Sequence, residues 1–160
     1  MRGPFIGIIG AGACDSSLEE LATEVGREVA RREAVLICGG LGGGMTAAAK
    51  GAKEVGGITI GILPGGATSD ANVYIDYPIA TNMGQARNAV IVQTADVLIG
   101  VDGSYGTLSE IAMALKIGKP VIVIHCRFSI PGVHKVQTPI EAVDKALASL
   151  QNHSPPTLSI

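Results

Sequence analysis

A chain of 160 residues with 47% hydrophobic and 16% charged residues can bury a full core and is too apolar to stay disordered. Its formal net charge of −2 provides no basic stripe for nucleic acid, and its apolar runs fall short of the ~20 residues of a membrane span. There is no tryptophan, and 22 glycines stand in clusters rather than in a repeat, which excludes collagen-like and linker readings.

In chain order, Phe5–Ile9 reads as a strand, followed by a helix start at Asp15-Ser16-Ser17 and a capping-box spacing at Ser17–Glu20. Leu18, Leu21, Ala22, Val25 and Val29 then recur at helical spacing. Ala34–Ile37 is the second strand. A helix from about Gly43 carries Met45, Ala48, Ala49 and Ala52 on one stripe, small enough to pack close to a sheet. Ile58–Leu63 is the third strand, stopped by Pro64-Gly65-Gly66, and 67–83 is irregular apart from a short strand near Tyr77–Ala80.

Gly84–Thr94 reads as a helix and Val97–Val101 as a strand. The turn Gly103-Ser104-Tyr105-Gly106 opens a helix with the seam Leu108, Ile111, Ala112 and Leu115, and Gly118-Lys119-Pro120 ends it. Val121–Ile124 is a strand. After a loop, Thr138-Pro139-Ile140-Glu141 combines an N-cap, proline at the first helical position and a capping box. The final helix has the stripe Val143, Ala146, Leu147 and Leu150. Alternating strands and helices predict one α/β domain over residues 1–150: a doubly wound, mostly parallel sheet, Rossmann-like, in three α/β/α layers. Residues 151–160, with two prolines, are expected to form a loose tail.

In such a sheet ligands bind at the carboxyl ends of the strands, where the glycine clusters of this chain fall. Gly39, Gly40, Gly42, Gly43 and Gly44, closed by Met45, are more glycines than a tight turn needs. At a helix N-terminus they offer backbone N–H groups and a dipole suited to phosphate. Gly10 and Gly12 begin a dinucleotide-like turn, yet Asp15 stands where the third glycine belongs and no acidic residue ends the second strand. NAD binding is therefore disfavoured. No Gly-Lys-Ser/Thr follows any glycine loop, which argues against an ATP-type P-loop.

Gly103, Ser104, Tyr105, Gly106 and Thr107 form the third glycine loop. Thr107 and Glu110 stand at capping-box spacing, while Glu110 also lies opposite the apolar seam, free to face a ligand or a second subunit. Arg87, beside Asn88 near a helix start, presents a planar fork matched to phosphate oxygens. Cys14, Cys38 and Cys126 are odd in number and widely spaced, which suits reduced thiols and a cytoplasmic protein. The N-terminus has no secretory pattern. His125, Cys126 and His134 match no standard zinc spacing, and no metal site is expected.

Over roughly residues 3–150 these loops resemble the superfamily of the "lonely guy" phosphoribohydrolases and the molybdenum cofactor carrier proteins. The enzymes' PGGxGTxxE motif aligns with Asp102–Glu110, and their Arg-Lys pair with Arg87-Asn88. Glu110 and Arg87 thus match the enzymes' essential glutamate and arginine. Asp102 replaces proline, Ser104 glycine and Asn88 lysine, which adds negative charge beside the expected phosphate site and removes positive charge. The stretch Met45…Lys50-Gly51-Ala52-Lys53-Glu54…Thr59-Ile60-Gly61-Ile62-Leu63-Pro64-Gly65 is more similar to the carriers, as are Gly84-Gln85-Ala86-Arg87 and Ala114-Leu115-Lys116…Lys119-Pro120-Val121.

The resemblance implies a carrier that binds and protects molybdenum cofactor, a phosphorylated pterin, and that passes it to molybdoenzymes. Gly10, Gly12, the two later glycine loops, Arg87, Asn88 and Glu110 would line its site. The alternative it implies is a nucleoside 5′-monophosphate phosphoribohydrolase with Glu110 and Arg87 as its catalytic pair. It also implies a homodimer or homotetramer, to which the apolar Val90-Ile91-Val92 run lends some support.

Overall fold

A computed structural model describes residues 3–10 and 12–152. The elements run β1 (Phe5–Gly10), α1 (Ser16–Arg31), β2 (Val35–Cys38), α2 (Gly44–Glu54), β3 (Thr59–Leu63) and β4 (Tyr77–Ala80). There follow α3 (Arg87–Thr94), β5 (Val97–Val101), α4 (Tyr105–Lys116), β6 (Val121–Ile124), β7 (His134–Val136) and α5 (Pro139–Gln151). The strands form a seven-stranded sheet in the order β4-β3-β2-β1-β5-β6-β7, with each neighbouring pair parallel. The order reverses between β1 and β5. Among the described helices none is long and apolar enough to cross a membrane.

The central strands alternate their side chains between two apolar layers. Ile6, Ile8, Leu36, Ile99 and Ile122 pack with α1, α2 and α5, whereas Ile9, Ile37, Ile62, Leu98 and Val123 pack with α3 and α4. Burial on both faces is why the strands read as unbroken apolar runs rather than as alternating ones. The small residues of α2 do more than approach the sheet. Gly26 of α1 and Gly51 of α2 bring the two backbones together: a Cβ on Gly26 would run into the Ala48 carbonyl, and one on Gly51 into the Thr23 carbonyl. Arg27 of α1 reinforces the crossing through an ion pair with Glu54 at 2.6 Å.

Several boundaries differ from the sequence expectation for physical reasons. The cap of α1 is Asp15, whose Oδ1 accepts from the Leu18 N–H at 2.9 Å, so Ser17 lies inside the first turn and is not the start of a capping box. The segment 84–94 opens with a 3-10 turn, Gly84–Ala86, leaving α3 only eight residues. In α4 the N-cap is Ser104, which places Thr107 and Glu110 within the helix and not at its cap. The buried face of α4 is Thr107, Glu110, Ile111 and Ala114, and Ala112 of the expected seam is exposed. The strand β7 went unread because three residues, His-Lys-Val, carry almost no apolar pattern. At α5 the expected start holds: Thr138 accepts from the Glu141 N–H at 3.2 Å, and Glu141 accepts from the Gln137 N–H at 3.0 Å. Of the expected tail, residues 153–160 lie outside the described residues.

Candidate functional site

At the carboxyl ends of β1, β2 and β5, beside the point where strand order reverses, lies a hollow of about 250 Å³. Three helices bring their first turns to it: α2 with Met45, α3 with Arg87 and Asn88, and α4 with Gly106 and Thr107. None of the three has a side-chain N-cap bond or an acidic residue in its first turn. By contrast α1 and α5, whose starts do not line this hollow, are capped by Asp15 and Thr138 and carry Glu19 and Glu141 in their first turns. The first turns of α2 and α4 thus leave uncapped N–H groups and unopposed dipoles toward one place, while at α3 the preceding 3-10 turn takes up the Arg87 N–H and the side chains face the hollow; together they suit an anion.

Arg87 is the cation of the site and is 9% exposed. Its Nε donates to the Ile62 carbonyl at 2.8 Å, and Nη1 donates to Asn88 Oδ1. Its remaining terminal nitrogen lies over Gly39, where a Cβ would stand 2.5 Å from Nη2 and 2.6 Å from Met45 Sδ. Glycine at the end of β2 is therefore what makes room for the guanidinium. Burial lowers the pKa of Arg87 from the ordinary arginine value, against the pull of Glu110.

Glu110 lines the hollow at 7% exposed, and among the described residues its carboxyl has no hydrogen-bond partner. Burial pushes its pKa up to about 7, with the Arg87 charge opposing the rise. At the end of β2, Cys38 is fully buried. Burial pushes its thiol up to about 11, although a Gly40 backbone hydrogen bond and Arg87 act the other way.

Of the residues proposed from the sequence, Gly10, Gly12, Gly39, Met45, Arg87, Asn88, Ser104, Gly106, Thr107 and Glu110 line this hollow together. Gly40, Gly42, Gly43, Gly44, Gly103 and Tyr105 do not. Gly40 has a φ of 75° and packs against Leu63 and Gly61, turning the chain at the end of β2. Gly43 lines a neighbouring hollow with Cys14, Thr46, Lys50 and Tyr74. Gly103 lies against Thr107, and Tyr105 is 83% exposed with its ring 6.4 Å from that of Phe128. Ile8, Ile9, Leu41 and Gln85 also line the site, and three of them are plain apolar residues with no chemical signal to find.

Asp102 does not add its charge to the hollow as expected. Its side chain faces Arg127, 3.6 Å away, and it is not among the lining residues. Its backbone takes a φ of 53°, and its N–H donates to the Ile124 carbonyl at 3.0 Å. His125 and Cys126 share one hollow while His134 lines another, and among the described residues no three His, Cys, Asp or Glu side chains are grouped to hold a metal.

A parallel, doubly wound sheet with a hollow at the strand-order reversal makes this a Rossmann-like α/β protein. Residues 4–157 match the model of the SLOG cluster4 family, and the chain belongs to that family. A protein of Archaeoglobus fulgidus described as uncharacterized is 49% identical over 145 residues, covering 90% of this chain and 95% of that one. Among solved structures, the molybdenum cofactor binding protein of Rippkaea orientalis is 35% identical, with a TM-score of 0.87 over 94% of this chain and 99% of that one. The molybdenum cofactor carrier protein of Chlamydomonas reinhardtii is 34% identical, with a TM-score of 0.81 over 92% of this chain and 99% of that one. These are the proteins that the loop motifs resembled.

Proposed function

We propose that this protein binds molybdenum cofactor, shields it and carries it to molybdoenzymes. The observation that carries this reading is the likeness, over nearly the whole of both chains, to the Rippkaea orientalis protein that binds the cofactor. The site is chemically suited to such a cargo. The uncapped starts of α2 and α4 together with the Arg87 side chain would receive its terminal phosphate, while Leu41, Met45 and the Ile8–Ile9 edge offer an apolar wall for a flat ring. About 250 Å³ is just below the usual range for small-molecule pockets, so the enclosed part suits the phosphate-bearing end rather than the entire cofactor.

Incubated anaerobically with released cofactor and then gel-filtered, the protein is expected to co-elute with molybdenum and pterin and to slow the loss of cofactor activity. Absence of both effects overturns the reading. We also infer a cytoplasmic protein, a setting that suits three free cysteines, and assembly as a homodimer or homotetramer, which the exposed Tyr77, Ile79 and Met83 favour.

A second reading rests on Glu110, a buried carboxyl that titrates near neutrality beside Arg87. Those features would serve N-glycosidic cleavage of a nucleoside 5′-monophosphate, with Glu110 stabilising an oxocarbenium-like transition state and Arg87 gripping the phosphate. Free adenine released from AMP, and lost in Glu110→Ala, would favour the hydrolase. No release would leave the carrier.

A further inference from the structure

Glu110 is the only acidic side chain among the residues lining a hollow otherwise arranged for anions. The residue is 7% exposed and its carboxyl makes no hydrogen bond among the described residues, where no sealed polar side-chain atom goes unpartnered, so its oxygens open onto the hollow. Arg87 acts on it through charge alone: the guanidinium's hydrogen bonds go from Nε to the Ile62 carbonyl and from Nη1 to Asn88. A carboxylate left there beside a bound phosphate would place two like charges in one confined hollow, an arrangement that protonation relieves.

We propose that Glu110 enters the complex as the neutral acid and donates its O–H to an acceptor atom of the phosphorylated ligand. The hollow thereby selects a ligand with an acceptor at that point, and one proton accompanies it. The inference rests on the carrier reading.

The surrounding groups are consistent with this. From α3 only Arg87 faces Glu110 with a charge; from β2 the nearby ionisable group is the Cys38 thiol, which burial keeps neutral. At the β5–α4 turn Asp102 is turned to Arg127. Ile8, Ile9, Gly10 and Gly12 from β1 and the loop after it, and Leu41 and Met45 from the β2–α2 segment, bring no titratable side chain to the hollow. The free protein holds the proton below about pH 7 and loses it above. Binding above that value must then recover a proton from solvent, and affinity falls by up to about tenfold per pH unit.

The test uses a fluorescent 6-alkylpterin phosphate as probe, titrated against the wild-type protein and Glu110→Gln from about pH 6 to about pH 9. The amide keeps a donor and cannot ionise. The variant is expected to match wild type at the acid end and to bind more tightly, by tenfold or more, at about pH 9. The phosphate's own titration is common to both proteins and cancels in the comparison. Calorimetry of the wild type in buffers of different protonation enthalpy is expected to show proton uptake approaching one per ligand at about pH 8. Parallel pH profiles for the two proteins, or no proton uptake, overturn the inference and leave the carrier reading standing. Failure of the probe to bind at any pH overturns both.

Discussion

Glu110 makes the stability of the fold depend on pH in a direction unusual for a carboxylate. Its folded pKa, about 7, lies above the ordinary 4.5, so its favourable contribution is complete below pH 4.5 and is lost as pH rises through 7. Glu110→Gln should therefore be as stable as wild type near pH 4.5 and more stable near pH 8, by on the order of 2 kcal/mol, read from thermal melts at the two values. Gly39 works at the same scale by what it lacks. Alanine there would press on Arg87 Nη2 and Met45 Sδ, both side-chain atoms able to yield. Gly39→Ala should cost about 1–2 kcal/mol of stability yet weaken retention of a phosphorylated ligand tenfold or more, measured by equilibrium binding. The glycines, Arg87 and Glu110 were legible in the sequence because their chemistry is distinctive. What the sequence did not reveal was which glycines line the hollow: Gly39 does, while its neighbour Gly40 turns the strand end.

Among the elements, α3 shows how a short helix is held without a strong pattern of its own. Its C-terminal carbonyls on Val92 and Gln93, and that of Ala95, accept from Lys119 Nζ at 2.8, 2.6 and 2.5 Å. Gly118-Lys119-Pro120 read only as the stop of α4, because a lysine capping a helix distant in sequence leaves no local periodicity. Lys119→Met should destabilise the protein by about 1–3 kcal/mol in denaturant unfolding, since it removes a charged donor from three carbonyls at once. The α1–α2 crossing was equally hidden: the alanine stripe indicated close packing but not that Gly26 and Gly51 would be the contact points. Gly51→Ala must move a backbone rather than a side chain. It should cost about 3 kcal/mol in denaturant unfolding. Elements with clear caps or long apolar runs, such as α5 and β5, matched the sequence closely, while α4 was found where expected but with a buried face that includes the polar Thr107 and Glu110.

At the scale of the whole molecule, the parallel doubly wound sheet was readable because strands buried on both faces cannot avoid being apolar throughout. Of the two edge strands, β4 was readable at Tyr77–Ala80, whereas β7, three residues of mixed character, was not. On β4, Tyr77 and Ile79 are exposed, with Met83 just beyond, leaving apolar side chains at one end of the sheet. If a second copy covers them, sedimentation should show a species heavier than the 16.3 kDa monomer, and Tyr77→Lys with Ile79→Lys should shift it toward monomer without lowering the melting temperature of the fold.

The left-handed backbone of Asp102 limits how this chain could acquire the enzymes' loop. Proline cannot adopt a φ of 53° and has no N–H to donate to Ile124. A single Asp102→Pro change would therefore break the turn before it could restore any motif. The route from one loop to the other needs the β5–α4 backbone to be rebuilt together with its side chains, so the two kinds of site are separated by a conformational step and not merely by three substitutions.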